Sequence, residues 1–521
     1  MTVPSLPFRI LALTPVVPQQ KVAWTRPAVP VKRGELDQAV AACGLSFPVS
    51  VPADLRRDGW LAVDIRRFKD FHPDGLAAVQ PDLAALVEAR DFVRDAAARG
   101  ISTEAVHERL RGIPDFPVAM KVPTPPKASP GKSAIDDILS KVALPEGASA
   151  PAAETRTIIT QIEAVLQAIL RHVFSDKEFR SLESAWRGVQ TLLHQGIGDG
   201  DIELELVPVT METLEETLGR LTLTCADNLP SLVLIDLPFD KTPYRVELLE
   251  KVAIFAETLL APAVCCGSPG VLGLGSWEEL SKLPYLPNVL DEPEFAKWRR
   301  LQGLPAARWV AVACNSFLAR LPYGPDNKPS KVRFDEPEGL FVSPVWAVGA
   351  LIAQSIRKHG WPTRFTEWPK NRLENLPLRD YERGHKIPTE TTIGEDRLMQ
   401  FTKAGFTPLA SALDKDIAFT PAEATLARGS LRYQLLLSRI AGLLLWCREN
   451  LPADLGGASL EESVRQAFNA FWEKTGHAAP AGLRVTATPG TGGKAGVLRV
   501  VIDPSREVLP TGERIELEIP W

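Results

Sequence analysis

The sequence predicts an α/β protein whose mixed sheets are flanked by helices, and three stretches carry that expectation. "LVLIDLP" (Leu232 to Pro238) is a continuous apolar run, the mark of a strand covered on both faces. A helical segment around Tyr244 to Leu260 leads from it to a second apolar run, "APAVCCGSP", so a strand–helix–strand crossover and some parallel sheet are expected. "DIELELVPV" instead alternates Ile202, Leu204 and Leu206 with Glu203 and Glu205, a half-exposed strand. At 521 residues the chain is too long for one ordinary core, so two or three packed units are expected.

Taken in order, the first segment (residues 1–120) has strand signals at Phe8 to Leu13 and Trp60 to Ile65. The stretch "FKDFHPDGLAAVQPDLAALVEAR" then sets Leu83, Leu86, Val87 and Arg90 at helical spacing. A linker (121–156) follows, with Pro, Ala, Gly and Ser in "KVPTPPKASPGKS" and "LPEGASAPAAE". Inside it "SAIDDILSKVA" lines up Ile135, Ile138, Leu139 and Val142 as one apolar stripe on a short helix that a partner surface would complete. The core segment (157–455) opens with the helix "IITQIEAVLQAILRHVF". It includes a helix from Val345 that ends in Lys358 and His359 before Gly360, and closes with a long apolar helix, Ser430 to Asn450. The tail (456–521) has a helix near Ser459 to Lys474 and strand signals at Leu483 to Thr488, Val497 to Ile502 and Ile515 to Ile519.

One stretch has more than a surface helix needs. In "SDKEFRSLESAWRGVQTLL", Ser175 and Glu178 stand at capping-box spacing. Phe179, Leu182, Trp186, Val189 and Leu193 share one face, and Glu183 and Arg187 pair at i,i+4 on another. The spacing says that the first face is buried, without saying why Trp186, Arg187 and Gly188 follow one another.

Composition narrows the function. With 59 Lys+Arg against 64 Asp+Glu the net charge is −5, and no sustained basic stripe appears, so nucleic acid is not an expected partner. The six cysteines lie mostly in apolar runs without a CxxC pair, as reduced core residues of a cytoplasmic protein do. No basic leader, cleavage site or span-length apolar run is present, so membrane insertion is not expected. Local catalytic signatures are missing too. "SPGKS" has Pro126 and "TPGTGGKAG" has Thr488 where a phosphate loop needs its first glycine. GxSxG and HExxH do not occur, and the seven histidines are dispersed. "CCGSPGVLGLG" reads as a strand end with a permissive turn rather than a nucleophile beside a glycine loop. Asp236 reads as a capping or loop-bonding residue or a metal ligand, and Arg320 with Tyr323 as a buried ion pair or loop anchor, or an anion site.

Together these motifs resemble a known family. "FRSLESAWRGVQTLL" is similar to the signature of the large subunit of the type VI secretion contractile sheath. "EPEFAKWRRLQGLPAARWVAVACNSFLARLPYG", "VWAVGALIAQSIRKHGWPTR" and "IPTETTIGEDRLMQFTKAGFTPL" follow in the family's order. Val189 stands where members often have Leu, and Arg180 where they have Gln, both tolerable on a packed helix. The first segment resembles the small sheath subunit, so the chain looks like a natural fusion of the two. The resemblance implies a contractile tail-sheath-like protomer with strand-exchanging termini, in which Phe179, Leu182, Trp186, Arg187, Gly188, Arg320, Pro322, Tyr323 and Gly324 belong to the family-motif core. It implies a homo-oligomer of stacked rings or a helix, around an inner tube protein and on a baseplate, with no catalytic residue, cofactor or metal. It further implies that strands near the chain ends (Phe8, Ile10, Leu13; Val500, Ile502, Ile515, Leu517, Ile519) join sheets of neighbouring protomers. The stripe Ile135, Ile138, Leu139, Val142 resembles the helix that a recycling AAA+ ATPase recognises. A phage-tail-like contractile injection apparatus and an α/β enzyme with an unrecognised site are the alternatives.

Overall fold

The computed structural model describes residues 6–99, 101, 103–111, 150–198, 200–452, 455–480, 482–488 and 496–521. The chain forms two compact units, one from Met1–Ala42, Ser181–Leu321 and Leu340–Trp521, the other from Cys43–Arg180 and Pro322–Gly339. These units do not follow the boundaries expected along the chain. Residues before Ala42 lie in the first unit, while the opening of the expected core segment and residues 322–339 lie in the second. Backbone pairing and burial assign each element, whatever its place in sequence.

The first unit is organised by a seven-stranded sheet. Its members are β1 (Phe8–Thr14), β2 (Val29–Val31), β5 (Ile202–Pro208), β6 (Leu232–Phe239), β7 (Ala263–Gly267), β8 (Val310–Cys314) and β11 (Phe406–Pro408), in the order β11-β8-β7-β6-β1-β5-β2. All pairs are parallel except β2 with β5. The apolar run in β6 leaves Leu232, Val233, Leu234 and Ile235 fully buried, and helix α5 (Pro243–Thr258) makes the crossover from β6 to β7. On β5 the alternation holds, and Arg9 of β1 pairs with Glu205 at 2.8 Å and with Glu203 at 3.6 Å.

β1 corrects an expectation. Phe8, Ile10 and Leu13 were expected to belong to a strand left for a neighbouring protomer, yet β1 is inside the sheet. Ile10 stands opposite Leu204 on one side and Leu232 on the other, so both backbone edges are taken. Phe8, Ile10 and Leu13 are buried in the protomer's own core.

Helices cover the sheet. In α6 (Pro344–His359), Ser343 caps the start, and Gly360 ends it at φ 71° after Arg357, Lys358 and His359. A side chain at Gly360 would put its Cβ 2.4 Å from the Thr475 carbonyl oxygen. α7 (Leu431–Asn450) is capped by Ser430, and α8 (Gly457–Lys474) turns Phe471 and Trp472 onto Trp361, with ring centroids 5.7 and 4.7 Å away. A short hairpin, β9 (Phe317–Arg320) with β10 (Leu340–Val342), and a terminal antiparallel sheet complete the unit. That sheet comprises β12 (Arg484–Thr488), β13 (Val497–Ile502) and β14 (Ile515–Pro520), in the order β12-β13-β14.

The second unit pairs β3 (Leu45–Ser50) with β4 (Trp60–Ile65) and packs α1 (Pro73–Val79) and α2 (Pro81–Arg99) with α3 (Ala150–Ser175). Leu83, Leu86 and Val93 of α2 are fully buried, as the helical spacing predicts for the first two. Asp74 in α1 holds the 330–332 loop. Its carboxylate accepts the Ser330, Lys331 and Val332 amides at 2.7, 2.8 and 3.2 Å and the Ser330 hydroxyl at 2.8 Å. Burial alone pushes this carboxyl up, but these donors bring it below its ordinary value.

Candidate assembly surfaces

The motif helix is α4 (Lys177–His194). Its cap is Asp176, whose Oδ1 accepts the Glu178 and Phe179 amides at 3.0 and 2.9 Å. Ser175, expected to cap it, is instead the last residue of α3. Asp and Ser serve equally well as caps, so the chain reversal between α3 and α4 decides which residue reaches the free amides.

In the second unit, the start of α4 and the "RLPYG" turn share an aromatic cluster. Phe179 lies 4.8 Å from Phe174 and 5.7 Å from Phe71. Tyr323 lies 5.5 Å from Phe174 and 5.7 Å from Phe334. The Tyr323 amide donates to Glu336, which also pairs with Arg180 at 2.8 Å, and beyond Pro322 the turn is closed by paired backbone bonds between Gly324 and Asn327. Tyr323 is thus the anchor of a packed turn that Pro322 enters.

In the first unit the Trp-Arg-Gly run has three separate tasks. The Trp186 indole is fully buried and donates to the Val16 carbonyl at 3.2 Å, fixing the chain just after β1. Arg187 donates to Glu183 at 2.8 Å. Arg320 from β9 grips the same carboxylate with Nε at 2.7 Å and Nη2 at 2.8 Å. Glu183 is fully buried. Burial pushes its carboxyl up, but the Arg320 and Arg187 guanidiniums overcome this and hold it below its ordinary value. Gly188 is there for space: a Cβ would lie 2.4 Å from Trp346 Nε1. That indole donates to Asp236 at 2.9 Å, and the Thr14 hydroxyl donates to the same oxygen at 3.1 Å. Asp236 is therefore a half-buried acceptor joining β1, β6 and α6. Leu182, buried beside them, completes the face that periodicity predicts.

Asn315, at φ 75° and fully buried, was not singled out by sequence reasoning. Its Nδ2 donates to the Thr391 and Leu409 carbonyls at 2.9 and 2.8 Å and its Oδ1 accepts the Thr391 amide at 3.1 Å, pinning the "IPTETTIGEDR" segment to the end of β8. Its signal was the "CN" step at a strand end, where Asn tolerates a left-handed backbone.

Among the described residues no group of three or more His, Cys, Asp or Glu is placed to hold a metal, and no helix is long and apolar enough to cross a membrane. Burial pushes the Cys266 thiol up to about 12 and that of Cys265 higher, so neither is a ready thiolate.

The terminal sheet carries the other strands expected to meet neighbouring protomers. Leu498, Val500, Ile502, Ile515 and Ile519 turn inward and join the first unit's own core, so these side chains are not spare. Val500, on the middle strand, stands opposite Val485 on one side and Leu517 on the other, which corrects the expectation that it pairs with a neighbour, and Ile502 stands opposite Ile515. β12 has its Ala487 amide covered by Glu461 at 2.9 Å. β14, which carries Ile515, Leu517 and Ile519, pairs with β13 alone among the described residues. The stripe Ile135, Ile138, Leu139 and Val142 lies outside the described residues.

With this geometry in hand, known proteins place the chain. The family described as "EvpB/VC_A0108, tail sheath N-terminal domain" matches residues 156–229 and 230–427, and "Type VI secretion system, VipA, VC_A0107 or Hcp2" matches residues 4–114. The type VI secretion system sheath protein TssC1 of Pseudomonas aeruginosa is 28% identical over 294 residues, which cover 50% of this chain and 59% of that protein. The match thus spans about three fifths of that relative's length. Among solved structures, a chain of the anti-feeding prophage baseplate has a TM-score of 0.34 at 11% identity, covering 65% of this chain and 76% of that one. The sheath tail protein Lin1278 from Listeria innocua has 0.32 at 10%, covering 60% of each. The chain belongs to the tail-sheath family whose domain it carries from residue 156 to residue 427, and it carries the VipA domain in the same polypeptide.

Proposed function

We propose that this chain is a structural subunit of the contractile sheath of a type VI secretion system. It polymerises in the cytoplasm around an inner tube, rests on a baseplate, and contracts to drive the tube outward. The observation that carries this reading is the sheet order. β1, from the VipA-like match, lies between β5 and β6, from the sheath-domain match. Strands of both matches are thus hydrogen-bonded into one sheet, as a force-bearing protomer requires. The knot around Glu183 and Asp236 supports the same reading, since it serves rigidity and offers nothing to a substrate. β14 is the proposed tether: an extended segment of a neighbouring protomer adds to its edge away from β13 through backbone hydrogen bonds, which survive while side-chain contacts repack.

Electron microscopy of the purified full-length chain tests the proposal. Hollow tubes or stacked rings are the expected result, and persistent monodispersity at high concentration would refute it. Proline scanning at Leu517 and Glu518 tests the tether, because adjacent amides of a strand point to opposite edges. One substitution should damage the internal ladder and the other only assembly; normal tubes from both would remove β14 from the role. The segment 133–143 is proposed as the handle for a recycling AAA+ ATPase. Replacing Ile138 and Leu139 by Asp should spare assembly and stop ATPase-driven disassembly, and unchanged disassembly would sink that assignment.

A further inference from the structure

The second unit has a sheet edge of its own. Among the described residues β3 and β4 pair only with each other, which leaves each strand with an outer edge. The ladder shows which backbone groups face outward. The Val51 amide donates to the Gly59 carbonyl at 3.1 Å, one step beyond the pair Ser50 and Trp60, so the hydrogen-bonded pairs are Val49 with Leu61 and Phe47 with Val63. Trp60, Ala62 and Asp64 therefore turn their amides and carbonyls away from β3, and Ser46, Pro48 and Ser50 turn theirs away from β4. Pro48 has no amide to offer, which closes the β3 edge to a further strand. The β4 edge has no such guard. Gln80 Nε2 covers the Asp64 carbonyl at 2.9 Å, while Ala62 is exposed and Trp60 is 46% accessible.

The same reasoning applies to β14. The Trp521 amide donates to the Gly496 carbonyl at 2.8 Å, so Ile519 and Leu517 bond to β13, and Glu516 and Glu518 turn their backbone groups outward. The two outward edges differ in charge. β14 has exposed Glu516 and Glu518, with Glu513 just before it, and Arg499 pairs with both of the first two, one guanidinium against two carboxylates. β4 is flanked by exposed Arg57, Arg66 and Lys69, while the nearby Asp58, Asp82 and Asp70 are engaged by Arg56 and Arg67. Two β4 edges, or two β14 edges, would bring like charges together. β4 beside β14 brings unlike charges together.

We propose that the β14 edge of one protomer pairs with the β4 edge of the next, as adjoining strands of one intermolecular sheet that covers Trp60. The proposal names the partner of the tether and rests on that reading. Because the two edges are different surfaces of one chain, the contact is head-to-tail. A protomer that uses one edge keeps the other for a further copy, so the contact extends a filament instead of closing a dimer.

Sedimentation of assemblies formed by the full-length chain tests it. Arg66→Glu/Lys69→Glu and Glu516→Lys/Glu518→Lys should each raise the concentration needed for assembly about tenfold or more, and the two pairs combined in one chain should bring it back toward the parent's. Ala62→Pro places on β4 what Pro48, directly opposite, already does on β3, and should stop assembly with the protomer's Tm in place. The proposal is overturned if the β4 variants assemble like the parent, or if the combined variant assembles no better than either pair alone. Loss of assembly in Glu518→Pro with normal assembly of Ala62→Pro keeps β14 as the tether and removes β4 as its partner. A parent that never assembles removes both.

Discussion

Replacing Asp236 by asparagine should stabilise the protein at neutral pH. The carboxylate sits at the crossing of β1, β6 and α6, where burial raises its pKa from 3.8 to about 6, and the Trp346 indole and Thr14 hydroxyl offset only part of that. A carboxyl whose folded pKa is raised binds its proton more tightly in the folded state. Its stabilising contribution is therefore complete below pH 3.8, falls as pH rises, and is lost above about 6. The gap corresponds to about 3 kcal/mol of stability missing at pH 8. Asparagine keeps an acceptor oxygen for both donors and cannot ionise. Urea unfolding followed by tryptophan fluorescence, run on parent and Asp236→Asn at pH 8 and pH 4.5, should give the variant the higher midpoint at pH 8 and an advantage about a third as large at pH 4.5. A variant that is less stable at pH 8, or whose advantage does not change with pH, would refute the reasoning, because a structural repacking effect has no reason to titrate.

Arg320→Met leaves the buried Glu183 carboxylate with Arg187 alone and should cost about 3–5 kcal/mol, read as a lower Tm, while the double variant Glu183→Leu/Arg320→Met should recover most of it. Gly188→Ala should displace Trp346 from Asp236 and cost about 1–3 kcal/mol, with a change in tryptophan emission. Cleavage at a protease site inserted between residues 121 and 132 should leave the two pieces together through gel filtration, since β1 is bonded on both sides to strands of the other piece. Separation without denaturant would contradict that sheet order.

How far the sequence speaks depends on the range of the interaction. Periodicity and capping residues act over a few positions, and they are sufficient for the helices and strands. Leu232 to Pro238 had to be a doubly covered strand, Ser430 to Asn450 a buried helix, and Gly360 a helix end, because no other backbone satisfies those side chains. The order of motifs likewise identified the family. The partners across the sheet were not legible. Nothing near Phe8 announces that it lies beside Ile202, and a strand signal at a chain end looks the same whether it is held at home or donated. The spacing showed Glu183 as half of an i,i+4 pair with Arg187, but not that Arg320, 137 residues away, grips the same carboxylate. Asp236, Gly188 and Trp346 are separated in sequence by long stretches, and only the packing of α4 and α6 on β6 decides that one needs a donor, one must lack a side chain, and one supplies the indole. Local chemistry selects the elements, whereas contacts between distant segments depend on which faces have apolar surface left to bury, and that is settled only when the whole chain is closed.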